Sequence, residues 1–300
     1  MLRSFLRLYG NAFMNIRTDA PPASVVQGIG NWKYFQMNLE DVFMAAERWR
    51  KCIGPVENLW LVWHVSDSWT LLQQRLIQEV GWTPLVGRDP RAGHPPVCEG
   101  SIYIDFNREL GLERLYMHFP LEFAFLFIER RLAFWHSDLL CRIPVMKDLS
   151  RTFASLADRE MAAVYIKVAR RHLLFPWRHR FWELVGCTTK GASHNQFKNG
   201  AGWWMNFQRH PNAGGYMEGL RRKYFYWDHG AGVFYWWLFY GGKVVRIKHA
   251  TVAEGHCTSS GKPGYRFSAG GGPNKNLSVE LDDNYRIRAV ADQLDIGHLL

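Results

Sequence analysis

A histidine and an aspartate suited to metal binding follow a short apolar segment in the middle of the chain. Residues 131–135 predict a buried strand, and His136-Ser137-Asp138 comes directly after it. Side chains two residues apart in an extended segment point to the same side, so His136 and Asp138 can face one cation. A carboxylate is a natural ligand for Mg²⁺ or Mn²⁺, and imidazole binds several divalent ions. The pattern favours a metal site, with a hydrogen-bonded loop as the alternative.

A second polar cluster, residues 254–263, follows a predicted strand at 243–247. It contains His256 and Lys262 together with glycines and small hydroxyl side chains. A lysine offers positive charge to phosphate, and a glycine-rich loop lets backbone N–H groups approach it. His256 can add a metal ligand. The cluster predicts a phosphate-binding loop, and a polar surface loop is the alternative.

Further polar residues lie where ligands bind in open α/β sheets, beyond the carboxyl ends of the strands. Asp67 follows the first predicted strand and Asp105 follows the third. Asp228 and His229 precede an apolar segment that predicts a helix. Capping that helix is the first explanation for Asp228, and holding an acceptor hydroxyl is the functional alternative.

The order of these motifs resembles that of a glycosyltransferase of the GT-A fold. The nearest type is the retaining one, which includes glycogenin and the bacterial lipopolysaccharide galactosyltransferases. Residues 136–138 resemble its Asp-x-Asp metal motif, with His in the first place, and residues 199–204 resemble the segment that lines the donor sugar. Asp228-His229 resembles its Asp-Gln-Asp helix, and His256 with Lys262-Pro263 resembles its closing His-x5-Lys-Pro element.

The resemblance implies a set of metal and phosphate ligands. Asp138 and His256 would bind Mn²⁺ or Mg²⁺ on the diphosphate of a nucleotide-sugar donor, with His136 as a third ligand. Lys262 would neutralise phosphate charge as the nucleotide leaves. A divalent cation and a lysine together stabilise the negative charge that develops on the leaving oxygen.

The remaining predicted site residues concern the donor and the acceptor. The resemblance places Asp67 near the nucleoside, and Asp105 and Gly202 complete the predicted donor-binding set. Asp228 and His229 are the predicted catalytic residues, which would face the donor sugar or a carbohydrate or other hydroxyl acceptor.

The resemblance spans residues 57–265 and departs from the family at two positions. His136 replaces the first Asp of the metal motif, and Gly264 stands where a Trp is usual. A relative that has lost activity therefore stays open as an alternative.

Strand and helix patterns alternate along the chain and must position these residues. Continuous apolar runs such as residues 59–65 are typical of strands buried on both faces. The alternation predicts an α/β fold with a mostly parallel mixed sheet flanked by helices, related to the nucleotide-binding Rossmann folds. The predicted strands are 59–65, 83–86, 102–105, 131–135, 161–166 and 243–247, and the predicted helices include 39–51, 69–79, 120–130 and 144–157.

Three parts of the chain are predicted from composition shifts. Residues 1–31 form an amphipathic basic segment and linker, 32–267 a single catalytic domain, and 268–300 a C-terminal tail after a glycine-rich join. Apolar positions at helical spacing and arginines off that stripe suggest that the first segment rests on an anionic membrane. A transit-like segment, a docked surface helix or a poorly ordered start are the alternatives.

Composition narrows the class of protein. Fourteen Trp favour sugar rings or nucleobases as ligands, and a Trp-rich core is the alternative. Trp203 is expected to stack on the acceptor or close the site, whereas Trp236 and Trp237 are expected to be divided between burial and surface.

Five widely spaced cysteines are neither a disulfide framework nor a zinc cage and are typical of a cytoplasmic protein. No apolar run reaches the 18 residues or more of a membrane span.

Two other functions remain open from the sequence. A net charge of +10 suits a polyanionic partner, and basic clusters with aromatics at 170–172, 177–180 and 221–224 are typical of nucleic-acid binding. No recognised nucleic-acid-binding module accompanies them. A metal-dependent hydrolase using His136, Asp138 and His256 is the other alternative. Serine hydrolase chemistry is disfavoured because the sequence lacks a G-x-S-x-G motif.

Overall fold

The structure is a computed structural model that describes residues 39–90, 92–111, 115, 117–165, 181–199, 201–203, 230–257 and 287–300. Helices and strands alternate through most of this part of the chain. Their order is α1 (Leu39–Ile53), β1 (Asn58–His64), α2 (Asp67–Glu79), β2 (Thr83–Arg88), β3 (Ile102–Tyr103), α3 (His118–Glu122), α4 (Ala124–Phe127), β4 (Arg131–Trp135), α5 (Ile143–Ala154), β5 (Glu160–Tyr165), β6 (Phe181–Thr189), α6 (Lys190–Lys198), α7 (Ala231–Phe239), β7 (Lys243–Ile247) and α8 (Ile287–Gln293). Short 3₁₀ turns follow β7 at His249–Thr251 and Ala253–Gly255, and another lies at Gly297–Leu299.

The described strands form one seven-stranded sheet in the order β3-β2-β1-β4-β6-β5-β7. Strand β1 pairs in parallel with β2 and β4, β2 with β3, and β5 with β7. Strand β6 is antiparallel to both of its neighbours, β4 and β5. The prediction of a mostly parallel mixed sheet flanked by helices is therefore confirmed.

Alternate residues of the central strands enter two different hydrophobic cores, one on each face of the sheet. In β1, Leu59 and Leu61 belong to one core, whereas Trp60 and Val62 belong to the other. This is why the strand is apolar throughout, since both of its faces are covered. Helices α1, α6 and α7 contribute to the first core and helices α2 and α5 to the second.

The tryptophans that were expected at the ligand or at the surface lie in the core. Trp203, Trp236 and Trp237 have relative exposures of 0%, 1% and 7%. Trp203 packs edge-on against Phe134 of β4, with ring centroids 5.1 Å apart. The expected division of Trp236 and Trp237 between burial and surface is wrong, because both side chains of helix α7 are buried. Trp203 likewise presents no exposed face for stacking.

Two stretches differ from the predicted elements. The single helix expected at 120–130 is two short helices, α3 and α4, separated at Phe123, whose φ of −102° and ψ of 9° interrupt the helical backbone. Strand β6 was not predicted at all. Its apolar run directly follows the basic residues at 177–180, which the sequence analysis assigns to a nucleic-acid-type cluster.

The end of the predicted C-terminal tail is docked on the domain. Ala291, Leu294 and Ile296 are buried in the second core. The Arg75 guanidinium donates to the carbonyl oxygens of Leu299 and Leu300. Residues 287–300 of the predicted tail are therefore held on the domain by apolar contacts and by hydrogen bonds from α2.

None of the helices in the described part of the chain is both long enough and apolar enough to cross a membrane.

Candidate metal centre

The turn after β4 is fixed by hydrogen bonds to two neighbouring elements. The His136 backbone N–H donates to the carbonyl of Leu184 in β6 at 3.0 Å. The side-chain amide of Gln73 in α2 donates to the carbonyls of His136 and Leu139, at 3.0 and 2.9 Å. Because both backbone ends of the turn are bound, the side chains of residues 136–138 have a defined direction.

A pairing of two loops brings His256 to this turn. Leu139 and His256 form an isolated antiparallel bridge. The Leu140 N–H donates to the carbonyl of Gly255 at 3.1 Å, and the Cys257 N–H donates to the carbonyl of Asp138 at 3.0 Å. A side chain at position 255 would not fit, since a Cβ there would lie 1.6 Å from the Leu140 carbonyl oxygen. The glycine thus allows the close approach that places His256 beside Asp138.

His136, Asp138 and His256 form one cluster of metal-ligating side chains. Oδ1 of Asp138 lies 3.6 Å from Nδ1 of His136, and Oδ2 lies 3.5 Å from Nε2 of His256. One ligand atom from each residue lies within 4.8 Å of the other two. Asp138 and His256 are 3% and 4% exposed, and the side chain of His136 is 22% exposed. The structure thus brings together the three residues that were predicted as metal ligands.

Glu183, at the start of β6, lies on the other side of His136 and was not predicted. Its Oε1 lies 3.5 Å from Nε2 of His136 and 3.7 Å from Nε2 of His118. Glu183 and His118 are both 5% exposed. A single acid inside the otherwise apolar run at 181–187 was the sequence signal that could have identified it, because buried carboxylates are rare unless they are paired.

Opposite charges within the cluster shift the pKa values of Asp138 and His136. Burial alone would raise the pKa of Asp138, but His136 and His256 outweigh it and hold that pKa well below its usual value. Burial alone would lower the pKa of His136, but the carboxylates of Asp138 and Glu183 raise it to about 10. Without a metal ion, a proton on His136 thus offsets part of the charge of two buried carboxylates.

The donor set fits a divalent cation. Ligand atoms bound to one such ion at about 2.0–2.3 Å are separated from each other by roughly 3–4 Å. The carboxylate of Asp138 lies 3.6 Å from His136 and 3.5 Å from His256, and the three ligand atoms lie within 4.8 Å of one another. One carboxylate and two imidazoles suit a borderline ion such as Mn²⁺ or Zn²⁺ better than an ion that prefers oxygen ligands alone. The chemistry of these residues therefore fits the metal that the resemblance implies.

Aromatic side chains cover one side of the cluster. The Trp182 ring meets His256 edge-on at a centroid distance of 5.3 Å and His136 at 6.2 Å. The same ring stacks on His249 at 5.3 Å with an interplanar angle of 21°. Trp182 therefore restricts the imidazoles and shields one side of the candidate ion position from water.

Asp67 and Asp105 follow their strands at the same edge of the sheet, as predicted, but lie outside the three-residue cluster. Asp67 is the first residue of α2, and its side chain is 74% exposed, with Oδ1 3.7 Å from Nε2 of His64. Asp105 accepts a 2.8 Å hydrogen bond from Arg88, whose Nε also donates to the Tyr103 hydroxyl at 3.0 Å. Their proposed roles toward the nucleoside and the donor remain predictions.

Gly202 lies beside a buried carboxylate. A Cβ at this position would lie 2.1 Å from Oε2 of Glu122, which is 5% exposed. The close carboxylate therefore gives the glycine a packing role, and its role toward the donor sugar stays a prediction. Asp228, His229 and Lys262 lie outside the described residues, as do the basic clusters at 170–172, 177–180 and 221–224.

The fold and the cluster together describe an α/β domain with a candidate metal site. The chain has a mixed α/β domain with a seven-stranded sheet, and a His-Asp-His group lies where strand β4 ends and β6 begins. Comparison of this chain with protein-family models, with curated proteins and with solved structures gives no match.

Proposed function

We propose that this protein is a metal-dependent glycosyltransferase that binds the diphosphate of a nucleotide-sugar through the His136–Asp138–His256 cluster. The observation that carries the proposal is the position of this cluster directly after β4, at the carboxyl edge of the parallel strands. Nucleotides and their phosphates bind at that edge in open α/β sheets. The mixed sheet also agrees with the fold that the sequence resemblance implies.

The charge of the cluster supports binding of a cation rather than of bare phosphate. Asp138 and Glu183 bring two buried carboxylates to the site, and either alone would repel a phosphate group. A divalent ion bound there supplies positive charge to the leaving diphosphate. The residues of the cluster would hold the ion, the fixed turn after β4 would set its position, and Trp182 would exclude water on the side that it covers.

Other residues have supporting roles in the proposal. Lys262 would add positive charge at the phosphates, and Asp228 and His229 would contact the donor sugar or the acceptor hydroxyl. Asp67, Asp105 and Gly202 would contribute to the donor side. These roles rest on the sequence resemblance, and the exposed carboxylate of Asp67 at the start of α2 is available to a ligand at the edge of the sheet.

The proposal is tested by thermal unfolding with UDP, GDP, CDP and ADP, each with Mn²⁺ and with EDTA. A ligand that binds only the folded state raises the melting temperature, by about 2.7 kcal/mol in the free energy of unfolding at 100 times its Kd. We expect one nucleotide to stabilise the protein with Mn²⁺ and not with EDTA. Absence of any metal-dependent response would contradict the proposal.

A matched pair of variants locates the effect. Asp138→Asn replaces the central carboxylate of the cluster with a neutral group of the same size, and it should abolish the metal-dependent response. Asp148→Asn makes the same change on helix α5, where the carboxylate is 66% exposed and pairs with Arg151. It should respond like the unmodified protein.

A further inference from the structure

The strand pairing around Glu183 is irregular. On one side of β6, Val185 stays paired with Trp135 of β4. On the other side, pairing with β5 passes from Gly186 opposite Ala163 directly to Trp182 opposite Val164, so residues 183–185 have no partner in the β5 register. Bulges of this kind re-aim side chains and are frequent next to functional sites. Here the bulge coincides with the acid that faces His136.

The two nitrogens of His136 face two different carboxylates. Nε2 lies 3.5 Å from Oε1 of Glu183, and Nδ1 lies 3.6 Å from Oδ1 of Asp138. An ionised carboxylate only accepts hydrogen bonds, so in the metal-free protein each protonated ring nitrogen of His136 faces an acceptor. An ion bound on the side of Asp138 and His256 would require Nδ1 to be unprotonated, and the one hydrogen of the neutral imidazole would then lie on Nε2, toward Glu183. Nδ1 then presents its lone pair to the side of Asp138 and His256.

Glu183 also contacts a second histidine, His118. His118, the first residue of α3, places its Nε2 3.7 Å from the same Oε1 of Glu183. His118, Glu183 and His136 therefore form a buried row that links helix α3, strand β6 and the turn after β4. Metal-bound histidines commonly donate their second ring N–H to a carboxylate, which fixes the ring and strengthens the ligand.

We infer that Glu183 is a positioning residue for the metal centre, which holds His136 with Nδ1 directed at the ion, and that His118 supports Glu183 in this role. The inference rests on the metal-binding part of the proposed function. It concerns binding of the ion by the protein alone, and no nucleotide or sugar is needed to test it.

The test is the affinity for Mn²⁺ without nucleotide, measured from the electron paramagnetic resonance signal of the free ion. Glu183→Gln keeps the size of the side chain and removes its charge, and we expect the Kd to rise about 10–100-fold. His118→Gln should raise it in the same direction by a smaller factor. Glu160→Gln is the control, since Glu160 begins the neighbouring strand β5 and pairs with Lys243 at the opposite end of the sheet. It should bind like the unmodified protein.

A second readout separates positioning from a merely structural role. Pulsed resonance of the bound Mn²⁺ detects the nitrogen nuclei of its imidazole ligands. Two should be seen in the unmodified protein, and the coupling of one should weaken in Glu183→Gln. A variant with a lower melting temperature in EDTA but with unchanged Kd and unchanged nitrogen couplings would overturn the inference.

The outcomes distinguish this inference from the proposed function. If the unmodified protein binds no Mn²⁺, the metal centre is wrong and the inference is overturned with it. If Mn²⁺ binds equally to the unmodified protein and to Glu183→Gln, only the role of Glu183 is overturned. If Glu183→Gln weakens binding while no nucleotide stabilises the protein, the inference is supported and the glycosyltransferase proposal is contradicted.

Discussion

Asp138 and His256 approach within 3.5 Å, Oδ2 to Nε2, because the loops that carry them pair as a short antiparallel bridge. Two backbone hydrogen bonds hold this bridge, and Gly255 lies in close contact with Leu140 of the chain opposite. The geometry of the candidate metal centre therefore depends on the backbone of residues 255–257 as much as on the ligand side chains.

Gly255→Ala should weaken the metal centre. A Cβ at 255 would lie 1.6 Å from the Leu140 carbonyl oxygen, so the two loops must separate. We expect a loss of about 1–3 kcal/mol in the free energy of unfolding, which is typical of overpacking, and weaker Mn²⁺ binding. Denaturant unfolding and Mn²⁺ titration measure the two effects.

Gly93→Ala is the control for this change, because a Cβ there meets nothing within 4 Å. If Gly255→Ala bound Mn²⁺ as tightly as Gly93→Ala, the bridge would not be what positions His256.

Binding of Mn²⁺ should release about one proton at neutral pH. The pKa of His136 is raised to about 10 without metal, so the ring is protonated and Nδ1 must lose its hydrogen to bind an ion. The affinity should rise as pH increases, by about tenfold per unit below pH 10. Calorimetry in buffers of different ionisation enthalpy counts the proton.

The sign of this dependence follows from the direction of the shift. A histidine with a raised pKa stabilises the metal-free fold below its unfolded pKa, and this contribution is lost as pH rises through about 10. His136→Asn should release correspondingly fewer protons on binding Mn²⁺. Equal release from both proteins would assign the proton to another group.

Arg142 should hold the loop that carries His256. Its guanidinium donates to both carboxylate oxygens of Glu254, at 3.0 and 2.7 Å, and to the carbonyl of Gln293 at the end of α8. In Arg142→Ala we expect faster hydrogen exchange at the amides of Leu140 and Cys257, which form the bridge.

Arg151→Ala serves as the control for Arg142, because Arg151 forms an ion pair with the nearby Asp148 and its side chain on α5 is 78% exposed. Unchanged exchange at the bridge in Arg142→Ala would show that the contacts of Arg142 do not hold this loop.

His64 should make stability fall in acid. It is 3% exposed, and burial is the main cause that lowers its pKa to about 4, against the opposing effect of Asp67. A histidine with a depressed pKa stabilises the fold above its unfolded pKa of about 6.5, and the contribution disappears as pH falls toward 4. The loss reaches at most about 3 kcal/mol.

Denaturant unfolding between pH 7 and 4 tests this, with His64→Gln expected to show a shallower dependence. His298→Gln, at an exposed histidine of the C-terminal segment, is the comparison. Identical slopes for His64→Gln and the unmodified protein would refute the buried neutral state of His64.

Lys262→Ala should weaken binding of a nucleoside diphosphate more than binding of the corresponding nucleoside, since a lysine contributes charge to phosphate. Isothermal titration of both ligands in the presence of Mn²⁺ gives the comparison. Equal losses for the two ligands would argue against a phosphate contact.

The sequence predicted the fold where the apolar pattern was simple. Strand β4 is found at 131–135 and β7 at 243–247, as expected, because each is a short run between clear turn residues. His136 and Asp138 were predicted as a pair from their spacing after β4, and His256 joined them through the resemblance. The bridge that brings His256 to Asp138 has no local sequence signal, since it joins two loops that are distant along the chain.

The rule that ligands bind beyond the carboxyl ends of strands does not predict Glu183. Strand β6 runs antiparallel to its neighbours, so its beginning, and not its end, lies beside the carboxyl end of β4. The bulge at residues 183–185 depends on pairing with both β4 and β5, which no local pattern reports.

The bridge between Leu139 and His256 also has a consequence for how the protein is made. During synthesis, His136 and Asp138 leave the ribosome well before His256, and contacts between distant segments form late because a large loop must close first. A nascent chain that lacks residue 256 carries only part of the ligand set. Tight binding of the ion should therefore begin only after the second half of the domain has emerged. Ion binding by a nascent chain would thus report that the domain is complete.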